Sequence, residues 1–161
     1  MPPPLLFNLD EYDLTRTLVS REQLYEILPH RGEFMLLDGV LMMDAEAERI
    51  VAFADIRSDD WWTSGHFPGR PMLPGVCLLE MAGQAAWYYN RYVLQHRDLL
   101  AFVGVDACRF RGTVAPPCRV LLLGVSLDVR PRRCACAFQA VVDGSVVFEG
   151  ELTGIPIRSA P

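Results

Sequence analysis

Residues 76–92, VCLLEMAGQAAWYYNRY, restrict the fold of this chain more than any other stretch. They are apolar on nearly every side at helical spacing, and such a helix must be surrounded by protein. Prolines at 68, 71 and 74, with glycines at 65, 69 and 75, forbid regular structure immediately upstream. Proline is favoured at a first helical position, so the spacing predicts a helix over residues 74–92, about 28 Å long at 1.5 Å per residue. Two polar residues interrupt the apolar run early, Glu80 and Gln84, with Gly83 between them. A carboxylate in such surroundings is unfavourable unless it has a partner or a task. Val76, Glu80, Gly83, Gln84 and Trp87 fall on one stripe of the helix.

The rest of the chain supplies what such a helix needs around it. Residues 1–19 are Pro-rich and then acidic, and read as an N-terminal arm, partly ordered at best. Ser20 and Gln23 form a capping-box pattern, with Leu24, Ile27 and Leu28 following at helical spacing, so a short helix is predicted over 21–28, stopped by Pro29. Residues 34–44 and 48–56 read as paired strands. After the long helix the period changes to two, predicting strands over 99–110, 119–129, 134–142 and 145–155. Asp143-Gly144 between the last two is a hairpin signal. The layout is α+β, with one antiparallel sheet and one central helix in a domain over 20–157, and 158–161 as a C-terminal tail. Half of such a sheet stays open, so a second copy or another partner is expected against it.

Composition removes several function classes. The net charge is −5, which disfavours a nucleic-acid binder. All fifteen cations are arginine, so every basic site is planar and permanently charged. There is no secretory signal and no apolar run long enough to span a membrane. Cys77, Cys108, Cys118, Cys134 and Cys136 are odd in number, lack C-x-x-C spacing and sit in apolar strings, which reads as buried free thiols of a cytoplasmic protein. On a strand, Cys134 and Cys136 share a face.

The chemistry concentrates between His66 and Gln84. His66 lies in a loop stiffened by prolines, and an imidazole titrating near neutrality can act as a base. Glu80 lies two turns into an apolar helix, where burial raises a carboxyl pKa and favours the neutral, proton-donating form. One base and one acid, with no adjacent nucleophile and no metal cluster, suit removal and return of protons, of which elimination of water is the simplest case. The helix start at Pro74-Gly75-Val76 offers unpaired N–H groups and a positive dipole end to a developing enolate oxygen. Gly75 lets a carbonyl approach closely, or is simply a close-packing glycine. Gln84 lies one turn from Glu80 and can orient its carboxyl. Trp61, Trp62 and Trp87 read as core or interface aromatics.

The residues themselves resemble a family. His66-Phe-Pro-Gly-x-Pro-x-x-Pro-Gly-Val followed by Glu80 and Gln84 looks like the 3-hydroxyacyl-acyl-carrier-protein dehydratases of fatty acid synthesis. Leu28-Pro-His-Arg31 with Phe34, Leu36, Leu37 and Asp38 is similar to an upstream motif of that family, and Phe110-Arg111 with Pro116 to a later one. The likeness runs over about residues 20–155. It implies a hot-dog fold, a long helix wrapped by an antiparallel sheet. It also implies a homodimer with shared active sites, or three such dimers together. His66 would be the base and Glu80 the acid, from opposite subunits. The Gly75 N–H would bind the thioester oxygen, the carbonyl of Met72 would hold the histidine ring, and Phe67 would lie beside the substrate. A tunnel along the helix would take the acyl chain. No metal or organic cofactor is implied; the substrate arrives on the phosphopantetheine of an acyl carrier protein, which is acidic. Arg109, Arg111, Arg119, Arg130, Arg132 and Arg133 are candidates to meet it. Glu33, Gly39 and Pro117-Cys118 depart from the family pattern and leave room for a polyketide or aryl-polyene pathway. Glu80, where a double-bond-isomerising branch carries Asp, points to dehydration alone. Thioester hydrolysis and non-catalytic acyl binding are the competing readings.

Overall fold

A computed structural model describes residues 3–95 and 98–157. The elements run β1 (Val19–Ser20), α1 (Arg21–Ile27), β2 (Gly39–Asp44), β3 (Arg49–Ile56), α2 (Gly75–Tyr92), β4 (Leu99–Phe110), β5 (Cys118–Arg130), β6 (Arg133–Val142) and β7 (Ser145–Ile157). Short 3-10 turns occupy Leu9–Glu11 and Gly32–Phe34. The seven strands form one antiparallel sheet in the order β1-β2-β3-β5-β6-β7-β4. The predicted hairpin joins β6 to β7, with Asp143 at φ 48° and Gly144 at φ 74°, the pair of positive values that a tight primed turn requires.

The long helix spans one face of this sheet, the hot-dog arrangement. Leu78, Met81, Ala82, Ala85 and Tyr88 of α2 are buried with Val120 and Leu122 of β5, Phe138 and Ala140 of β6, and Phe148 and Leu152 of β7. Period-two burial in the strands meets a broad apolar stripe on the helix, which is why these two patterns condense into two layers. The Ser20 capping box forms as predicted: the Ser20 hydroxyl accepts from the Gln23 N–H, and the Gln23 side chain accepts from the Ser20 N–H.

Two expectations need correction. The strand expected over 34–44 begins only at Gly39. Side chains claim the backbone ahead of it: Gln84 Nε2 donates to Phe34 O at 2.8 Å, Arg21 Nη2 donates to Met35 O at 2.9 Å, and the Leu37 N–H donates to Tyr25 Oη at 2.9 Å. Apolar content is the same in a strand and in a loop clamped between two helices, so periodicity did not separate them.

The arm is not loose. Phe7 is buried against Leu41, Phe53, Leu123 and Val146 on the sheet face opposite α2. The Leu6 N–H donates to Gln139 Oε1 and Gln139 Nε2 donates to Pro4 O, so one buried amide fixes the arm from both sides. Arg49 lies over the Phe7 ring and donates to Tyr12 Oη and Glu11. Residues 158–161 lie outside the described residues. β4 is the other sheet edge, and Phe102, Val103, Val105 and Phe110 along it are exposed.

Candidate active site

The loop ahead of α2 folds back on itself through His66. Its N–H donates to Trp62 O at 2.8 Å, its carbonyl accepts from the Met72 N–H at 2.8 Å, and its ring Nδ1 stands 2.7 Å from Met72 O. A carbonyl oxygen only accepts, so Nδ1 carries the ring hydrogen and Nε2 keeps its lone pair in the neutral imidazole. The Phe67 ring stacks on the imidazole at 4.1 Å between centroids. Among the described residues His66 forms no ion pair.

Pro74 caps α2 and Gly75 opens it. The Cys77 N–H turns back to Pro74 O, while the N–H groups of Gly75 and Val76 belong to the first turn, which has no intrahelical acceptors. A Cβ on Gly75 would stand 2.8 Å from the Phe110 ring, so the side of this glycine is closed by an aromatic side chain from β4. The close-packing reading of Gly75 therefore has a geometric basis, and its N–H stands at the dipole end of the helix.

Glu80 is half-buried, with 28% of its side chain exposed. Gln84 Nε2 donates to Glu80 Oε1 at 2.9 Å, and Gln84 is itself held by Tyr25, whose hydroxyl donates to Gln84 Oε1 at 2.9 Å. The expected orienting role of Gln84 thus has a geometric basis, backed by a buried tyrosine that sequence spacing did not single out. Burial pushes the Tyr25 hydroxyl up to about 12, so it remains a donor.

The residue that sequence reasoning missed at this site is His30. Its Nε2 stands 3.3 Å from Glu80 Oε1, and its ring meets Trp87 edge-on at 6.1 Å. Its Nε2 faces a carboxylate oxygen, which accepts, so Nε2 carries the hydrogen, while its Nδ1 is buried without a partner among the described residues. This bond corrects the expected direction for Glu80. The His30 hydrogen bond holds the carboxyl below the usual range, outweighing burial, and Gln84 adds to the effect. His30 and Glu80 lie 50 residues apart, too far for any periodicity to connect them. The signal available was its place in the Leu28-Pro-His-Arg31 stretch, which resembles the family's upstream motif but was given no role at the site.

The candidate basic patch is partly spent. Arg111 pairs with Glu149, Arg119 forks onto Asp55 while lying over Phe53, and Arg130 pairs with Asp128. Arg109, Arg132 and Arg133 are exposed and form no ion pair among the described residues. All five cysteines are free thiols; Cys134 and Cys136 are buried together as their spacing predicted, whereas Cys108 is exposed on the β4 edge. No metal-ligating cluster is present among the described residues, and no helix is long and apolar enough to cross a membrane.

Comparison with known proteins places this geometry in a family. The chain is 33% identical over 147 residues to the 3-hydroxyacyl-[acyl-carrier-protein] dehydratase FabZ of Chlamydia trachomatis serovar D, covering 89% of this chain and 95% of the relative. Its fold is similar to a chain of the dehydratase heterocomplex ApeI:P from Xenorhabdus doucetiae, with a TM-score of 0.71, 18% identity, and 89% and 94% of the two chains covered. It is also similar to zebra fish thioesterase superfamily member 2, with a TM-score of 0.65, 10% identity, and 85% and 95% covered. The model of the FabA-like domain matches residues 28–151, most of the chain, and the protein belongs to the FabA-like domain family.

Proposed function

We propose that this protein removes water from 3-hydroxyacyl thioesters carried on acyl carrier protein, giving trans-2-enoyl thioesters. The observation that carries the reading is the setting of His66, with Nδ1 bonded to Met72 O and a free lone pair at Nε2. His66 Nε2 takes the proton on the carbon next to the thioester carbonyl. The charge collects on the thioester oxygen, where the N–H of Gly75 at the helix start receives it. The carbon–oxygen bond at C3 breaks as Glu80 delivers a proton to the leaving hydroxyl, and water departs. His66 ends protonated and Glu80 ionised, and exchange with solvent resets both. Glu80 must be protonated to deliver this proton, whereas the His30 and Gln84 hydrogen bonds favour its ionised form, so the step draws on the protonated minority of Glu80. Side chains move every proton, so the reading invokes no metal or organic cofactor.

The two principal groups belong to different subunits of a homodimer. This is supported by the imidazole bound to Glu80 within the chain being His30 rather than His66, and by the open, apolar β4 edge. An edge strand of twelve residues, paired on one side only, with exposed aromatic and aliphatic side chains invites pairing with a second copy. Phosphopantetheine carries the acyl group in, on an acidic carrier protein that Arg109, Arg132 and Arg133 are free to meet, and the enzyme works in the cytoplasm.

Enoyl product formation from a 3-hydroxyacyl carrier substrate tests this. His66→Ala and Glu80→Gln should each lower kcat by about 10²–10⁴. Full activity in His66→Ala rules out the base assignment. Release of free thiol by the wild type without enoyl product would show thioester hydrolysis instead.

A further inference from the structure

Behind Glu80 runs a chain of hydrogen bonds in which every donor is fixed. At its far end the Leu37 N–H, which can only donate, gives its hydrogen to Tyr25 Oη at 2.9 Å. The hydrogen of the tyrosine therefore points the other way, to Gln84 Oε1 at 2.9 Å. Both hydrogens of Gln84 Nε2 are then aimed at oxygens, Phe34 O at 2.8 Å and Glu80 Oε1 at 2.9 Å. Tyr25 is 5% exposed and Gln84 1%, so these groups must find their partners inside the protein.

The opposite setting of the Gln84 amide is closed. It would turn the amide oxygen onto Phe34 O, which only accepts, and leave the buried Tyr25 hydrogen without an acceptor. One hydroxyl secures both ends of this arrangement. It holds Gln84 Oε1 directly, and through the Leu37 N–H it holds the segment that carries Phe34 O. Leucine or phenylalanine at this position would fill the core equally well, and neither would set the amide.

At Glu80 the consequence falls on one oxygen. Oε1 faces two donors, Gln84 Nε2 at 2.9 Å and His30 Nε2 at 3.3 Å. A hydrogen carried on Oε1 would collide with theirs. Oε2 meets no donor among the described residues, and Glu80 stands in the wall of a cavity of about 320 Å³ between α2 and the strands β4, β6 and β7.

We propose that Tyr25 is a positioning residue for the acid: by turning the donor side of Gln84 to Glu80 Oε1, it confines the transferable proton to Oε2. The inference rests on the proposed role of Glu80 as the acid. In that step the Oε2–H bond breaks, its proton passes to the leaving hydroxyl, and the carboxylate left behind is met at Oε1 by the Gln84 and His30 hydrogens.

Tyr25→Phe keeps the ring and removes the hydroxyl alone. With a 3-hydroxyacyl carrier substrate, kcat should fall about tenfold while KM stays within about twofold. Carboxyl-carbon NMR of the unliganded protein should show Glu80 titrating at higher pH, because burial then opposes a weakened Gln84 bond. A double-mutant cycle separates positioning from general loosening: in a Gln84→Met background, Tyr25→Phe should cost no further kcat. Unchanged kcat, an equal loss in both backgrounds or an unmoved Glu80 titration overturns the proposal. The wild type offers a check that no folding defect can spoil. Its Tyr25 hydroxyl hydrogen should exchange slowly and show proximity to Gln84 by NMR, and a freely exchanging hydroxyl overturns the proposal as well. Wild-type protein that forms no enoyl product would sink the proposed reaction, while a raised Glu80 titration in Tyr25→Phe would leave the setting of the amide standing.

Discussion

At the scale of single residues, the state of Glu80 is decided by competition between burial and hydrogen bonds. Its pKa lies below the ordinary carboxyl value because His30, first, and Gln84 bond the charged form more strongly than burial opposes it. A depressed folded pKa contributes stability that is present above the unfolded value and lost as pH falls through the folded one. In His30→Leu, burial outweighs Gln84, so the Glu80 carboxyl should titrate at higher pH and its contribution to the acid-side loss of stability should shrink or disappear. Carboxyl-carbon NMR titration reads the first and melting against pH the second. With the carboxyl less firmly placed, kcat should also fall, on the order of tenfold to a hundredfold. An unmoved titration would show that His30 does not hold the charge. Glu80 and Gln84 were legible as a pair because a four-residue spacing puts them on one face of one helix, and the His66–Met72 contact because both lie in one short loop. Tyr25 and His30 were not, because the turn after α1 reaches α2 only through the tertiary fold.

At the scale of elements, the sequence patterns that succeeded were those where one local rule acts alone. The capping box, the Asp143-Gly144 turn and the apolar helix each produced the element expected of them. The failures came where side chains from elsewhere supply what the local chain lacks. Residues 34–38 lose their strand to bonds from Arg21, Tyr25 and Gln84. The arm gains order from a sheet face that alternation alone marks only as half apolar. Leu41, Phe53, Leu123 and Val146 would present a broad apolar surface to water without Phe7 over them. Phe7→Ala should therefore lower stability by about 2–3 kcal/mol, below the full value for a buried Phe because the arm can detach without global unfolding. Urea unfolding measures the loss, and faster hydrogen exchange at the Leu6 amide, now bonded to Gln139, locates it in the arm. A loss of stability with unchanged exchange at Leu6 would mean that Phe7 does not anchor the arm.

At the scale of the whole molecule, the central helix faces two tasks at once. Its buried side chains build the core of one subunit, while Val76, Glu80 and Gly83 remain at or near the surface. The β4 edge and the His66 loop are exposed as well, so one chain presents the components of a site and an open strand edge together. If two copies close that edge and share two sites, each site needs His66 from one chain and Glu80 from the other. Mixing makes this measurable. His66→Ala and Glu80→Gln proteins are each inactive alone under the proposed mechanism. After unfolding and refolding together, half of the dimers contain one of each, and every such dimer holds one site with both native groups and one with neither. Activity should return to about a quarter of the wild-type value per chain if the pairing is random and the dimer has two-fold symmetry. A site built within one chain would recover nothing, because no chain in the mixture carries both groups. Introducing Val103→Arg into both proteins should abolish the recovery, since a charge on the pairing edge opposes association. Sedimentation would then report monomers; recovery that survives a monomeric state would place the shared surface somewhere other than β4.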